Sequence, residues 1–106
     1  MERKVSVERV SALSRGIFPL SKEEFIDLNQ ALLLLREKFN CRQCWFDENF
    51  KGARLIVKVE GVSFSVFANG KVMVYGLFSI EEIEDFLFVF WTDFFKKSVK
   101  NKHINL

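Results

Sequence analysis

The sequence has few of the proline and glycine residues that form linkers and few of the cysteines that form disulfides. It contains one proline and no Gly/Ser-rich stretch, so no linker is marked and 106 residues predict one domain. A chain of this length buries roughly 60 to 70% of its unfolded surface, so we expect a core that needs no metal or disulfide. The two cysteines suit a reducing compartment.

Long apolar runs are also missing. The longest aromatic run, FLFVFW at residues 86–91, is far shorter than the ~18 apolar residues of a membrane span. The first ten residues, MERKVSVERV, lack the apolar centre of a signal peptide. We therefore expect a cytoplasmic protein with no membrane partner.

The sequence has no excess of positive charge outside one segment near the C-terminus. The net charge is +2, but four lysines between residues 96 and 102 carry +4, which leaves a net charge of −2 on the rest of the chain. Proteins that bind nucleic acid mainly by neutralising phosphates are normally more basic. We expect one domain over residues 1–98 and a basic, flexible tail over residues 99–106, with the only histidine, His103, solvated in it.

Motifs of enzyme chemistry are missing as well. Cys41 and Cys44 form a lone CxxC, which lacks the further ligands of a structural zinc site and follows a helix instead of opening one, as a redox pair would. The carboxylates of residues 81–85 lie at a predicted helix start, where they meet the positive end of the helix dipole. No phosphate loop, dinucleotide fingerprint, or paired nucleophile and base is present. We therefore predict no enzyme, no metal and no cofactor, and packing roles for both thiols.

Apolar periodicity, including 13 phenylalanines, is what the sequence has in abundance. The segment 5–16 is β-compatible and predicts one strand. The capping box Ser21-Lys22-Glu23-Glu24 predicts a helix start, and apolar residues at helical spacing carry this helix to Asn40. Four strands are predicted between residues 41 and 76, and a second capping box, Ser79-Ile80-Glu81-Glu82, predicts a second helix. The fold class is therefore α+β, in the order strand, helix, four strands, helix.

Residues 66–76, VFANGKVMVYG, predict a β-hairpin around Asn69-Gly70. A two-residue turn would place large apolar groups on both faces of this hairpin. A three-residue loop, with Gly70 in the left-handed conformation of a bulge, instead separates an apolar face from a mixed face. The apolar face then consists of Val62, Phe64, Val66, Val72 and Val74. Burial favours the register that sorts the two faces, so we predict the bulged loop.

The mixed face of the predicted sheet is open, because both helices are expected to cover the apolar face. Extended to the preceding strand, the alternation places seven large side chains on the mixed face: Ile56, Phe67, Met73, Tyr75, Arg54, Lys58 and Lys71. Apolar groups flanked by basic groups suit a nucleic-acid or protein platform, since minor-groove binders insert apolar wedges between base steps. The alternative is a self-association face that is hidden in a dimer.

The second helix is apolar over a wide arc. Phe86, Phe88 and Phe95 lie on the two flanks of its apolar stripe. Two interpretations stay open: these flanks cover the first helix and the sheet edge, or they form an interface with a partner protein or a second copy.

The segment VSFSVFANGKVMVYGLFSIEEIEDF, together with the order of the elements, resembles one repeat of the TATA-binding protein family. The motif that carries the resemblance is Phe67-Ala68-Asn69-Gly70-Lys71, followed by Gly76 and by Ser79 to Glu82. The similarity continues back through two strands, where Trp45 and Phe50 fall on aromatic positions of the family. The resemblance implies a curved antiparallel five-stranded sheet with two helices packed on one face.

Kinking of DNA by apolar wedges is the family's own mechanism, so here it is implied by the resemblance. Phe50 and Phe67 would be the wedges. The other residues of the DNA-facing surface would be Val10, Ser65, Met73 and Tyr75. The family carries two repeats in one chain whereas this chain has one, so a homodimer would be needed to complete the interface.

The leading hypothesis is therefore a small DNA-binding protein that acts as a homodimer through its concave sheet face, in transcription or its regulation. The alternative is a protein-interaction module of the same fold, with a protein partner on the sheet face or the last helix and no nucleic acid. Two features favour the alternative: the net charge of −2 outside the lysine-rich segment, and Glu8, which stands where the family has a base-reading asparagine. Phe50, Phe67 and the lysines favour DNA.

Overall fold

A computed structural model of the chain describes residues 5–10, 13–39, 43–47, 53–59, 61–76 and 78–102. The fold is α+β, with a six-stranded antiparallel sheet, a separate two-stranded sheet and two α-helices. The strands are β1 (Ser6–Val10), β2 (Leu13–Ile17), β3 (Glu24–Ile26), β4 (Cys44–Asp47), β5 (Arg54–Val59), β6 (Val62–Phe67), β7 (Lys71–Tyr75) and β8 (Val99–Asn101). The helices are α1 (Leu28–Lys38) and α2 (Ile80–Phe90).

The six-stranded sheet has the order β1-β2-β7-β6-β5-β4. Strands β4 to β7 form a meander, and the N-terminal hairpin joins it where β2 pairs with β7. The prediction of five strands was wrong, because the single strand predicted over residues 5–16 is two strands: Val10 pairs with Leu13, so the chain reverses between them. The intervening Ser11-Ala12 contains none of the Asn, Asp or Gly residues that are usual in a two-residue turn, so local sequence patterns do not predict a hairpin here.

The predicted start of α1 at Ser21 was also wrong. The Ser21 N–H does donate to the Glu24 carboxylate at 2.8 Å, as in half of a capping box. Residues 24–26 nevertheless form β3, which pairs with β8 in the two-stranded sheet. The helix begins at Leu28, where the Asp27 carboxylate accepts a hydrogen bond from the Gln30 N–H at 3.1 Å. Strand β8, which holds residues 24–26 in a strand instead of a helix, lies more than seventy residues later in the chain, so no local pattern predicts this pairing.

The bulged hairpin is confirmed. Val66 pairs with Val72, and the Gly70 N–H donates to the Phe67 carbonyl oxygen at 2.9 Å. Gly70 has φ of +92°, in the left-handed region that side chains with a Cβ rarely adopt. The resulting register turns the apolar face of the hairpin towards the core.

The core lies between the helices and one face of the six-stranded sheet. From the sheet it includes Leu55, Val57, Phe64, Val66, Val72 and Val74, all without exposed surface. Complete burial of an apolar side chain of this size contributes about 1.5–3 kcal/mol. At Gly16, a Cβ would lie 3.0 Å from Leu87 Cδ1, so glycine allows α2 to approach β2 closely.

The C-terminal part begins as predicted and then departs from a regular helix. The second capping box is confirmed: the Glu82 N–H donates to Ser79 Oγ, and the Ser79 N–H donates to the Glu82 carboxylate, both at 3.1 Å. After α2 the chain makes a π-helical turn over Trp91–Phe95 and a 3₁₀ turn over Lys96–Ser98. The π-turn allows Phe18 to stack on both Trp91 and Phe95, at 5.2 Å between ring centroids in each case.

Strand β8 follows these turns, so the segment predicted as a flexible tail from residue 99 begins with a paired strand. The Lys102 N–H extends this pairing by donating to the Glu23 carbonyl oxygen at 2.7 Å. His103 and the residues after it lie outside the described part of the chain. Within the described part, no helix is both long enough and apolar enough to cross a membrane.

Candidate nucleic-acid interface

The face of the six-stranded sheet that points away from the core is not covered by either helix. We call it the open face. The alternation of buried and accessible residues along β5 shows its orientation: Leu55 and Val57 are buried in the core, whereas Arg54, Ile56 and Lys58 point the other way. The strand register then assigns the open-face positions of every other strand.

Cross-strand pairing arranges the open face in rows that run perpendicular to the strands. The middle row crosses all six strands, and each of its members pairs directly with the next: Glu8, Arg15, Met73, Ser65, Ile56 and Trp45. With strands ~4.8 Å apart, this row is about 24 Å long. A second row holds Leu13, Tyr75, Ser63 and Lys58, and Leu13 pairs with Val10 at its end.

Most of the predicted DNA-binding residues lie together on this face. Ile56, Phe67 and Met73 are half-buried, and Tyr75 is 39% exposed. Ser65 is only 2% exposed, so it forms the floor of the face and does not itself offer a contact, contrary to the prediction. The position of Val10 on β1 belongs to the same face, while Phe50 lies outside the described residues.

Two of the predicted cations have contacts on the sheet. Arg54 donates to one carboxylate oxygen of Asp47 from Nε at 3.3 Å and from Nη2 at 3.2 Å, which offsets its charge locally. Lys58 Nζ lies 5.3 Å from the centre of the Trp45 ring, within the range of a cation–π interaction. This interaction keeps a charge and an aromatic surface together near the β4 edge.

Towards the β1 edge, the open face contains a shallow depression of about 890 Å³. Arg15, Ile17 and Lys71 are exposed side chains that line it, together with Glu8 and the half-buried Phe67. Two basic groups, one carboxylate and apolar groups thus surround a single concave area. This area can accept a ligand that carries both negative charge and flat apolar surface.

Sequence reasoning missed Arg15 and Ile17 as open-face residues. They escaped because the sequence predicts one strand over residues 5–16, and because the buried positions of β2 are Ser14 and Gly16, which do not mark a core-facing side as apolar residues would. Ile17 is 46% exposed, more than any apolar residue that was predicted for this face. Trp45 is 37% exposed on the same face, and only the resemblance had singled it out.

The three phenylalanines predicted as a possible partner interface have different surroundings. Phe95 is fully buried against Phe18, so its assignment to an interface was wrong. Phe86 packs on Phe64 and Phe90, with ring centroids 5.6 Å and 4.9 Å away, and therefore covers the sheet. Phe88 is 47% exposed and is the one member of this set that remains available to a partner.

The described residues offer little to support metal or thiol chemistry. They contain no group of three or more His, Cys, Asp or Glu side chains placed to hold a metal ion. Cys44 is completely buried, and desolvation raises the pKa of its thiol, although the charge of Arg36 lowers it in part. Its thiol is therefore protonated at neutral pH and a poor nucleophile. Cys41 lies outside the described residues.

Comparison of the chain with protein-family models, with curated protein sequences and with solved structures gives no match.

Proposed function

We propose that the protein binds duplex DNA on the open face of its six-stranded sheet. The observation that carries the proposal is the combination, on one uncovered face, of accessible aromatic and aliphatic groups with exposed cations. The aromatic groups are Trp45, Phe67 and Tyr75, and the exposed cations are Arg15, Lys58 and Lys71. Cations placed at the margins of an apolar area contact phosphates while the apolar groups meet bases and sugars.

Phe67 is the wedge in this proposal. It lies at the end of β6 beside the hairpin loop, half-buried, and it borders the depression that Arg15 and Lys71 line. An apolar side chain inserted at a base step unstacks that step and bends the duplex, which brings more DNA surface onto the sheet. Steps rich in A·T are deformed more easily where they include TA, so AT-rich DNA is the preferred ligand.

The proposal includes a TATA-binding-protein-like fold and a role in transcription or its regulation. The motif around the bulged hairpin, the antiparallel sheet and the two helices support this likeness. Glu8 sets a limit on how DNA lies on the sheet, because its carboxylate repels phosphate. The duplex backbone therefore crosses the face near Arg15 and Lys71, with Glu8 beyond it at the β1 edge.

The number of exposed cations gives an expected salt dependence. Arg54 is offset by Asp47, so among the described residues of the open face about three cations contact phosphates: Arg15, Lys58 and Lys71. Neutralising about three phosphates of B-DNA predicts a slope of roughly −2.7 for the logarithm of the binding constant against the logarithm of the salt concentration. Much steeper dependence would require cations outside this face.

Fluorescence-anisotropy titration of AT-rich and GC-rich duplexes of equal length, at two salt concentrations, tests the proposal. Phe67→Ala should weaken binding of the AT-rich duplex by about tenfold or more, equivalent to roughly 1.4 kcal/mol, and reduce the preference for it. Lys71→Ala should weaken both duplexes alike and make the salt slope about one unit shallower. Leu33→Ser is the matched control, because Leu33 is an exposed apolar residue on α1, and it should leave binding unchanged.

Absence of binding by the wild-type protein at low salt would refute the proposal. The second candidate, a protein-interaction module, would then explain the same face. Glu8 in the depression and the net charge of −2 outside the lysine-rich segment are the observations that favour it.

A further inference from the structure

The outer surface of α2 and of the turn after it carries a continuous exposed stripe. It consists of Glu81, Asp85, Phe88, Val89, Thr92 and Lys96, all exposed, and we call it the outer stripe. Within α2, Glu81, Asp85 and Phe88 recur at intervals of three or four, so they lie on one side of the helix. Thr92 and Lys96 continue the exposed positions in the turns that follow. The buried residues Ile83, Leu87 and Phe90 lie on the opposite side, against the sheet.

Apolar side chains occupy the centre of the outer stripe. Phe88 is 47% exposed and Val89 is 52% exposed, in contrast to Phe86, which packs on the sheet. Two apolar groups side by side on a helix surface leave water only when another apolar surface covers them, and this burial is favourable. The centre of the stripe therefore suits a hydrophobic contact.

Charges of opposite sign occupy its two ends. The first turns of α2 carry Glu81, Glu82, Glu84 and Asp85, and the turn after the helix carries Lys96 and Lys97. Glu81 comes seven residues before Phe88, and Lys96 comes seven residues after Val89. A helix with acidic, apolar and basic portions at equal distances from its centre is complementary to an antiparallel copy of itself.

We propose that two copies of this chain associate through their outer stripes, antiparallel about a two-fold axis between Phe88 and Val89. Phe88 of each copy then packs on Val89 of the other, and Glu81 of each copy faces Lys96 of the other. A two-fold axis produces both contacts twice, as in any isologous interface. Asp93, which is exposed on the flank of the stripe, faces the acidic end of the other copy and opposes association. Lys96 and Lys97 outweigh this single charge.

A partner of a single charge sign would match only one end of the stripe, and this is why a second copy fits better. At the α-helical rise of 1.5 Å per residue the sixteen residues from Glu81 to Lys96 span at most about 24 Å, since the π-turn over Trp91–Phe95 rises less per residue. One helix face of that length buries less than the ~1,600 Å² of a standard interface. The dimer is therefore weak, with a dissociation constant in the micromolar range or above, and is weakened further by salt.

This dimer has a geometry different from that of a saddle made of two joined sheets. Because the outer stripe points away from the sheet, the two open faces point in opposite directions and both stay accessible. Association through the outer stripes is independent of what the open face binds.

Sedimentation equilibrium over a range of protein concentrations, at low and high salt, tests the proposal through a charge swap. Glu81→Lys and Lys96→Glu each place like charges together at both ends of the interface, so each should raise the dissociation constant about tenfold or more. The double variant Glu81→Lys/Lys96→Glu restores opposite charges and should recover most of the wild-type affinity. Phe88→Ser should abolish the dimer, and its exposure means that the fold does not depend on it.

Glu37→Lys on α1 changes the charge of a residue that is also exposed but lies outside the stripe, and it should leave the dissociation constant unchanged. A wild-type protein that is monomeric up to near-millimolar concentration overturns the inference. So does a dimer that Phe88→Ser leaves intact, or a double variant that associates no better than the single ones. Circular dichroism of each variant confirms that the fold is retained.

Discussion

Replacing Ser14 with alanine is expected to stabilise the protein, whereas the same replacement at Ser98 is expected to destabilise it. Both serines are completely buried. Ser14 lies on β2 opposite Val74, on the core side of the sheet, and its hydroxyl has no hydrogen-bond partner among the described residues. The Ser98 hydroxyl donates to the Phe94 carbonyl oxygen at 3.2 Å, across the end of the π-turn.

The magnitudes follow from whether each hydroxyl is satisfied. A buried polar group without a partner costs about 1–3 kcal/mol, and its removal recovers part of this cost, less the packing that the oxygen atom provided. We expect a gain of about 1 kcal/mol for Ser14→Ala. Loss of one buried hydrogen bond costs about 1 kcal/mol, so Ser98→Ala should lose about that amount. The two variants should thus differ by about 2 kcal/mol.

Urea denaturation followed by circular dichroism measures both changes, and thermal unfolding gives a second readout. In a domain of this size, 1 kcal/mol corresponds to a shift in Tm of roughly 4–8 °C, upward for Ser14→Ala and downward for Ser98→Ala. Equal losses of stability in the two variants would refute the reasoning, because they would show that the Ser14 hydroxyl is hydrogen-bonded in solution, for example to a buried water.

Two further predictions concern α2 and the buried thiol. Ser79→Ala should cost about 1 kcal/mol in urea denaturation through loss of the cap. The hydrogen bonds from Ser79 lower the pKa of Glu82. The stabilisation from this carboxylate is therefore present above the ordinary pKa of a glutamate and is lost as the pH falls through the lowered pKa. A Glu82→Gln variant should lose less stability on acidification. In a Cys41→Ser variant, Cys44 should resist alkylation until the protein is unfolded in urea, and rapid reaction in buffer would contradict its burial. Because burial raises the pKa of Cys44, the fold should become less stable as the pH rises above the ordinary pKa of a cysteine thiol.

Local patterns in the sequence predicted those elements whose partners are near in the chain. The bulged hairpin follows from Asn69-Gly70 and from alternation in β6 and β7, and the start of α2 follows from Ser79 and Glu82. The start of α1 could not be predicted in this way, because Ser21 and Glu24 make the local contact of a capping box while β8 draws Glu24 to Ile26 into a strand. The π-turn has a similar origin, since burial of Trp91, Phe94 and Phe95 together depends on contacts such as that with Phe18.

The candidate site was predicted in part for the same reason. Ile56, Phe67, Met73 and Tyr75 lie in the meander, where register follows from the sequence, and they do share one face. Arg15 and Ile17 lie on that face because β2 pairs with β7, a strand so distant in sequence that no local pattern predicts the pairing. The burial of Ser65 depends on neighbours from both adjacent strands, so alternation alone placed it on the correct side but not at the correct depth.

The pairing of β2 with β7 also determines when the protein can fold as it is synthesised. Strands β4 to β7 each pair with the next in sequence, so they can associate as soon as they emerge from the ribosome. The N-terminal hairpin is made before the meander, but Leu13 cannot pair until Tyr75, about 60 residues later, has been synthesised. Synthesis of these residues takes roughly 3–12 s at ~5–20 residues per second. During that interval the core-facing side of the hairpin, which includes Val5 and Val7 and the surface at Gly16 that later receives Leu87, is uncovered. Until β7 has been made, this side of the hairpin is therefore a surface to which cellular chaperones can bind.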